Sequence, residues 1–388
     1  MQNQADYSQE MPEIWEEFAA DFPVRRNIVY LNHAGVSPLC RPAAEAMKQV
    51  ADESCEFGSL HYERWLAAYE GVREAAGCLI GCSAREIAIV KNTSEGINTV
   101  ANGIQWKPGD RLVAFREEFP SNWLPWRHLE SRGVTVRWLP ATASLDEIDQ
   151  AARGARLLAI SYVQYLSGYR ANLEAIGEIC QRRNVFFFVD AIQGLGLVPL
   201  DVNRFRIHAL AADGHKWLMG PEGCGVLYVR AGIQDQILPT EIGWMSVTQY
   251  DDIDSSDLTL RRDAARYECG SLNTIGCYGL RAAIEFVNRV GVLRIRDAVL
   301  SLADGLYSEL ALRGFEMCGV RTSENSAGIV SFRKPGEEAR ETARHLLSRG
   351  FMTAPRQGWV RVSPHFYIPP GDIDNLIRAA TSESRAIS

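Results

Sequence analysis

Five consecutive apolar residues, Val185-Phe186-Phe187-Phe188-Val189, run into a carboxylate, Asp190. An unbroken apolar run of this length suits a parallel strand covered on both faces, and therefore an α/β sheet with helices on either side. A carboxylate at the end of such a strand is costly unless something positive meets it there. In open α/β sheets that end of the strand is where ligands sit. Gln193 follows three residues later. A second apolar segment, Ile207 to Ala212, then leads into Asp213-Gly214-His215-Lys216-Trp217, just before a Gly/Pro-rich turn, Gly220-Pro221-Glu222-Gly223. A lysine held among apolar neighbours can lose its proton and act as an amine nucleophile.

Pyridoxal phosphate calls for such a set. It takes a lysine for its aldehyde and a carboxylate for its pyridinium nitrogen, which keeps the ring able to accept electrons from a substrate carbanion. Gln193 could then hydrogen-bond the ring hydroxyl. Taken singly, Asp190 could cap a turn and Lys216 could be a solvated surface lysine. Their placement on successive strand ends points to the cofactor, with Lys216 forming the internal aldimine.

Asp190-x-x-Gln193 and Gly214-His215-Lys216, with 26 positions from Asp190 to Lys216, resemble the cofactor site of the class V aminotransferases of fold-type I. That family includes cysteine desulfurases, kynureninase and isopenicillin N epimerase. The similarity runs from about Tyr30 to about Ile377. It implies the PLP-dependent transferase fold: an α/β chain whose large domain holds a mostly parallel seven-stranded sheet, followed by a small C-terminal α/β domain. The expected division is an arm at 1–25, a large domain at 26–265 and a small domain at 266–388.

Further residues take roles from the same resemblance. Asn32 and His33, in the loop Asn32-His33-Ala34-Gly35, match a segment beside the substrate. Lys91-Asn92-Thr93-Ser94-Glu95-Gly96 opens a helix, and a helix N-terminus is an anion site. The family binds the cofactor phosphate there, so Thr93 and Ser94 inherit that role, although capping alone would explain both residues. Phe119 stands where a flat side chain stacks on the cofactor ring, as in the kynureninase branch, whereas desulfurases use His. Tyr165, or Gln164 beside it, stands where desulfurases place an Asn against the ring hydroxyl. His215 neighbours the cofactor or its phosphate. Asp213 departs from the Ser or Thr usual there, and must point away from a phosphate or pair with a cation. Tyr267-Glu268-Cys269-Gly270-Ser271 resembles a motif whose hydroxyl reaches the phosphate of the partner subunit, which implies a homodimer with shared sites. Val360-Arg361-Val362-Ser363 alternates, so Arg361 faces away from the valines. It matches the arginine that forks the substrate α-carboxylate.

Composition narrows the partners. The net charge of −7, without a compensating basic face, argues against nucleic acid. The nine cysteines are dispersed and form no CxxC pair, as expected of reduced thiols in a cytoplasm. The acidic, polar start MQNQADYSQEMPEIWEEF has no signal-peptide pattern, and no 18-residue apolar stretch predicts a membrane span. No histidine pattern suggests a metal. The Gly194-Leu195-Gly196 segment lacks the third glycine and the helix of a dinucleotide fingerprint.

The reaction is the open question. Desulfurases carry a cysteine on the loop before the carboxylate-binding arginine. Here that loop, Gly350 to Trp359, has none. Transamination of an α-amino acid is the first expectation. A β-elimination of the C–S lyase or desulfurase kind is the second, amino acid epimerisation the third, and a non-catalytic scaffold of the same fold stands outside these.

Overall fold

The computed structural model describes residues 13–252 and 254–382. Within the expected arm the sequence around Pro12 to Phe18 suits one short helix, found at Ile14–Glu17; Pro12 itself, and the ends of the expected arm and small domain, lie outside the described residues.

Seven strands build the central sheet: β1 (Ile87–Val90), β2 (Arg111–Phe115), β3 (Thr135–Leu139), β4 (Leu157–Ser161), β5 (Phe186–Asp190), β6 (Ala209–Asp213) and β7 (Gly225–Val229). Their spatial order is β1-β7-β6-β5-β4-β2-β3. Every pairing is parallel except those that β7 makes with β6 and with β1, so one strand of seven runs against the rest. β5 sits in the middle. Phe187, Phe188 and Val189 are fully buried, as the apolar run requires. Each phenylalanine removed from water contributes about 2–3 kcal/mol. The chain crosses from β4 to its parallel neighbour β5 through a helix at Leu173–Arg183. Asn172 caps its start by accepting from Ala175 N, and Asn184 ends it in the left-handed region at φ 55°.

Two departures from the sequence reading concern continuity. Helical periodicity runs through the sequence from Arg41 to Cys78, yet the chain there forms two helices, Arg41–Phe57 and Tyr62–Ile80. The break falls at Gly58, whose φ of 59° a helix cannot accommodate. The short strand near Asn27–Leu31, assigned with the large domain, is Val29–Tyr30 and pairs in parallel with Phe351–Met352. A further four-stranded sheet contains β8 (Glu316–Met317), β9 (Val330–Arg333), β10 (Ala354–Arg356) and β11 (Trp359–Val362), in the order β10-β11-β9-β8. The segment 239–265 is irregular, as expected, apart from short 3-10 turns and the Val247–Leu260 bridge; residue 253 lies outside the described residues. Among the described residues, no helix is long and apolar enough to cross a membrane.

A buried ion pair fixes the edge strand β1, which leads into the helix that opens at Thr93. Arg73 Nη2 lies 2.5 Å from Glu268 Oε2, with both side chains almost wholly buried. Glu268 Oε1 also accepts from Ile89 N of β1 at 2.8 Å. Removing one partner of such a pair leaves a buried charge without compensation, which costs about 3–5 kcal/mol. Arg73→Met is therefore expected to lower the urea midpoint at pH 8 substantially. Burial already pushes the Glu268 pKa up, so the loss should shrink as the pH falls and Glu268 takes a proton. A loss independent of pH would show that packing, not charge, is what the arginine supplies.

Candidate active site

β5, β6 and the helix that opens at Thr93 converge on one cavity of about 300 Å³. The helix, Thr93–Gly103, docks closely on β6 because Gly96 carries no side chain. A Cβ at Gly96 would stand 2.7 Å from Ala211 Cβ, inside contact distance. The close approach brings Thr93 Oγ1 to 3.0 Å from Asp213 N, which donates to it. Asn92 caps the helix by accepting from Glu95 N. The first-turn amides of Thr93 and Ser94 have no intrahelical acceptor and lie at the positive end of the helix dipole. Ser94 Oγ donates to Ser121 Oγ at 2.7 Å.

Lys216 and Asp190 line this cavity together. Asp190 is buried, and Ile192 N donates to its Oδ1 at 3.1 Å. Burial pushes its pKa up to about 6, while that amide and the Lys216 charge pull the other way. Lys216 keeps a partly accessible side chain, and the cavity is what it faces. Withdrawal from bulk water lowers its pKa to about 8; Asp190 opposes that shift and Arg361 adds to it. Phe119 stands beside the amine, with Nζ 5.6 Å from the ring centroid, and meets Tyr165 edge-on at 5.4 Å.

Arg361 is 3% exposed and projects from β11 into the same space. Its Nη1 donates to Tyr165 O at 2.8 Å and its Nη2 to Asn32 Oδ1 at 3.4 Å. Its Nε has no partner among the described residues, and it makes no ion pair among them. Burial lowers its pKa to about 10, so it remains a cation at neutral pH. A buried guanidinium with donors to spare fits a carboxylate that arrives from outside.

The other predicted site residues divide. Asn32, Thr93, Ser94, Phe119, Tyr165, Gln193 and His215 all line the cavity. Gln193 has much of its amide engaged: Nε2 donates to Ala34 O at 3.0 Å, and Oε1 accepts from Trp217 Nε1 at 2.9 Å. One N–H and one lone pair remain for a ring hydroxyl. Gln164 turns away and ties its own loop through Glu117 O, Leu166 N and Ser167 N. Asp213 turns its carboxylate onto its own turn, where Oδ1 accepts from Gly214 N and Oδ2 lies 3.0 Å from His215 Nδ1.

His33 does not reach the cavity, and its expected substrate contact is corrected accordingly. It is fully buried, with Nδ1 at 2.8 Å from Ser363 O and Nε2 at 2.6 Å from Tyr367 OH. A carbonyl only accepts, so Nδ1 carries the proton and the tyrosine donates to Nε2. Burial lowers its pKa to about 4, which keeps it neutral. Its partners lie more than 300 residues away in sequence, so nothing local marked it as structural. Ser271 lies on a separate depression with Lys91, Glu95 and Asn273, outside the cavity of its own chain.

Two residues without a sequence assignment bear on the site. Glu118, next to Phe119, is half-buried and accepts from Ser161 N at 2.7 Å and from Ser161 Oγ. Burial lifts its pKa to about 7, and the Asp190 charge pushes the same way. Arg356 is the second, a cavity-lining arginine two positions from the β10 partner of Arg361.

The cavity thus joins an amine, a buried carboxylate, an aromatic face, a helix N-terminus and a guanidinium that makes no ion pair among the described residues. The donor set fits pyridoxal phosphate. Lys216 would meet its aldehyde, Asp190 its ring nitrogen, Phe119 its face and the Thr93–Ser94 turn its phosphate.

Comparison with known proteins agrees with that fit. The model of the aminotransferase class-V family matches residues 29–365. A probable cysteine desulfurase of Methanothermobacter thermautotrophicus is 31% identical over 344 residues, spanning 85% of this chain and 84% of its own. An isopenicillin N epimerase of Streptomyces clavuligerus is 29% identical, with 94% of this chain and 97% of its own covered. The apo structure of a cysteine desulfurase from Thermococcus onnurineus superposes with a TM-score of 0.86 at 27% identity, covering 96% of this chain and 97% of that one.

Proposed function

The chain belongs to the class-V aminotransferase family, and on that premise we propose that it is a pyridoxal-phosphate-dependent lyase that breaks a C–S bond in a cysteine-derived amino acid. The observation that carries the amino acid half is Arg361, a buried cation without an acidic partner among the described residues, in the same cavity as the Lys216 amine. When bound, pyridoxal phosphate supplies the electron sink that makes a Cα–H bond acidic. Arg361 would fork the α-carboxylate and so fix which Cα substituent faces Lys216. Lys216 would take the Cα proton as a neutral amine, a role its lowered pKa favours. The Cβ–S bond would then break, with its electron pair leaving on sulfur. Phe119 offers a flat face and no proton, so proton transfer falls to Lys216.

Elimination displaces transamination as the first reading because the similarity to cysteine desulfurases covers most of the chain. The loop Gly350 to Trp359 lacks a cysteine, and none lines the cavity, so the sulfur product would leave directly rather than on the enzyme. A cytoplasmic homodimer, with Ser271 serving the partner's phosphate site, completes the reading.

The test is a product screen. Holoenzyme would be incubated with cystine, cysteine and S-substituted cysteines, with and without a 2-oxo acid. Pyruvate, ammonia and a thiol or persulfide released without any acceptor are expected. Product that appears only with the acceptor would establish transamination in place of elimination. Inverted configuration at Cα without cleavage would establish epimerisation.

A further inference from the structure

Arg361 accounts for one carboxylate, and the cavity holds a second guanidinium. Arg356 lies on β10, which pairs antiparallel with β11 in the register Ala354↔Arg361 and Arg356↔Trp359. Directly opposed residues share a face, and so do residues two apart on one strand. Arg356 and Arg361 are therefore diagonal neighbours on one face of the hairpin, and both line the cavity. The hairpin is tied to the Tyr165 segment beside the site, where Tyr165 O accepts from Arg361 Nη1 at 2.8 Å.

Nothing in the described residues neutralises Arg356. Its Nη1 donates only to its own strand, to Pro355 O at 3.2 Å, and it makes no ion pair among the described residues. Its charge instead bears on the site, lowering the pKa of both Lys216 and Arg361. Like charges placed diagonally on a strand pair repel, and an anion entering between or beside them would relieve that repulsion. The cofactor phosphate has its own donors at the Thr93–Ser94 turn, and the α-carboxylate has Arg361. Arg356 is the cation left over.

We propose that Arg356 reads a second anionic group on the side chain of the substrate, so that the enzyme selects α-amino acids carrying a side-chain carboxylate or comparable anion. The inference rests on the amino acid reading given above and deepens it. Within that reading the substrate is a cysteine thioether or disulfide whose sulfur substituent ends in an acid. Arg356 is exposed where Arg361 is buried, as suits a residue that meets the distal, more variable end of a ligand.

The experiment separates binding from chemistry. Amino acids methylated at Cα have no proton to lose, so they bind without turnover whatever reaction the enzyme performs. The visible cofactor band of the holoenzyme would be titrated at low salt with 2-methylaspartate against 2-methylasparagine, and with 2-methylglutamate against 2-methylglutamine. In at least one pair the acid should bind about tenfold or more tightly than its amide, as a charge-assisted fork predicts. R356Q should narrow that ratio to about twofold or less, while R356K, which keeps the charge but not the fork, should restore part of it. Equal binding of acid and amide by the wild type overturns the inference. So does R356Q if it leaves the ratio intact, or weakens both members alike as a second ligand of the α-carboxylate would. A spectral response without preference sinks only the second-anion inference. No response to any of the four sinks the amino acid reading, and this inference with it.

Discussion

Lys216→Ala is expected to lower turnover by about 10⁴-fold or more, the upper range for a positioned acid–base group, since covalent attachment of the cofactor is lost as well. The reason lies in where the amine sits. Lys216 follows β6 on the Gly214-His215 turn and shares its cavity with Asp190, Arg361 and Arg356. Withdrawal from bulk water, aided by the Arg361 charge and opposed by Asp190, lowers its pKa to about 8. At that pKa about a tenth of the amine is neutral at pH 7, against roughly one part in three thousand for an ordinary lysine. Cofactor capture by the apo-protein should therefore rise about tenfold from pH 6 to 7 and level off above about pH 8. Stopped-flow absorbance would read that profile. Mass spectrometry after borohydride treatment reads the attachment itself: a wild-type adduct on the peptide containing Lys216, and none in the variant. Lys216→Arg serves as the companion variant, because it keeps a cation in the cavity but no attackable neutral amine. If a reduced adduct persists in Lys216→Ala, the attachment lies on another lysine and the site is misassigned.

The parts of this site that were legible before the fold was known share one property. Asp190, Lys216 and Arg361 each sit at a strand end or on an alternating strand, so local pattern alone indicates where the side chain goes. The apolar run at 185–189 similarly implied a covered central strand, and β5 is one. What could not be read depends on how the folded chain surrounds each residue. His33 was separable from its neighbour Asn32 only once Ser363 and Tyr367 had been placed around it. Arg356 looked like a polar residue in a loop, because its position depends on a hairpin whose turn residues, Gln357 and Gly358, both adopt positive φ. Asp213 looked wrong for a phosphate site until His215 was found beside it. The break at Gly58 illustrates the opposite failure, since periodicity persists on both sides of a glycine whose dihedral ends the helix.

Asp190→Asn should separate stability from function in one substitution. Asp190 is 3% exposed, and its recorded hydrogen bond is the one from Ile192 N, which an Asn oxygen could equally accept. Burial raises its pKa from 3.8 to about 6, the reverse of the usual shift for a paired carboxylate. A carboxyl whose pKa rises on folding binds more protons in the fold than in the unfolded chain between those values. Stability therefore falls as pH climbs from about 4 to about 6, and above that window the ionised carboxylate costs the apo-protein about 3 kcal/mol. Asn is neutral throughout. Apo Asp190→Asn should accordingly resist urea better than apo wild type at pH 8, with the gap closing as pH falls towards 4. Turnover should move the other way, down by about 10²–10³-fold, the size of effect seen when a preorganised electrostatic group is removed. Cofactor affinity should fall with it, so that the stability order of the two proteins reverses once cofactor is added. If the apo variant is less stable than wild type at both ends of the pH range, Asp190 holds the Ile192 turn and its charge is incidental. If the predicted crossing occurs, the sheet carries at its centre a carboxylate that the fold alone disfavours, and the cofactor is the reason it is tolerated.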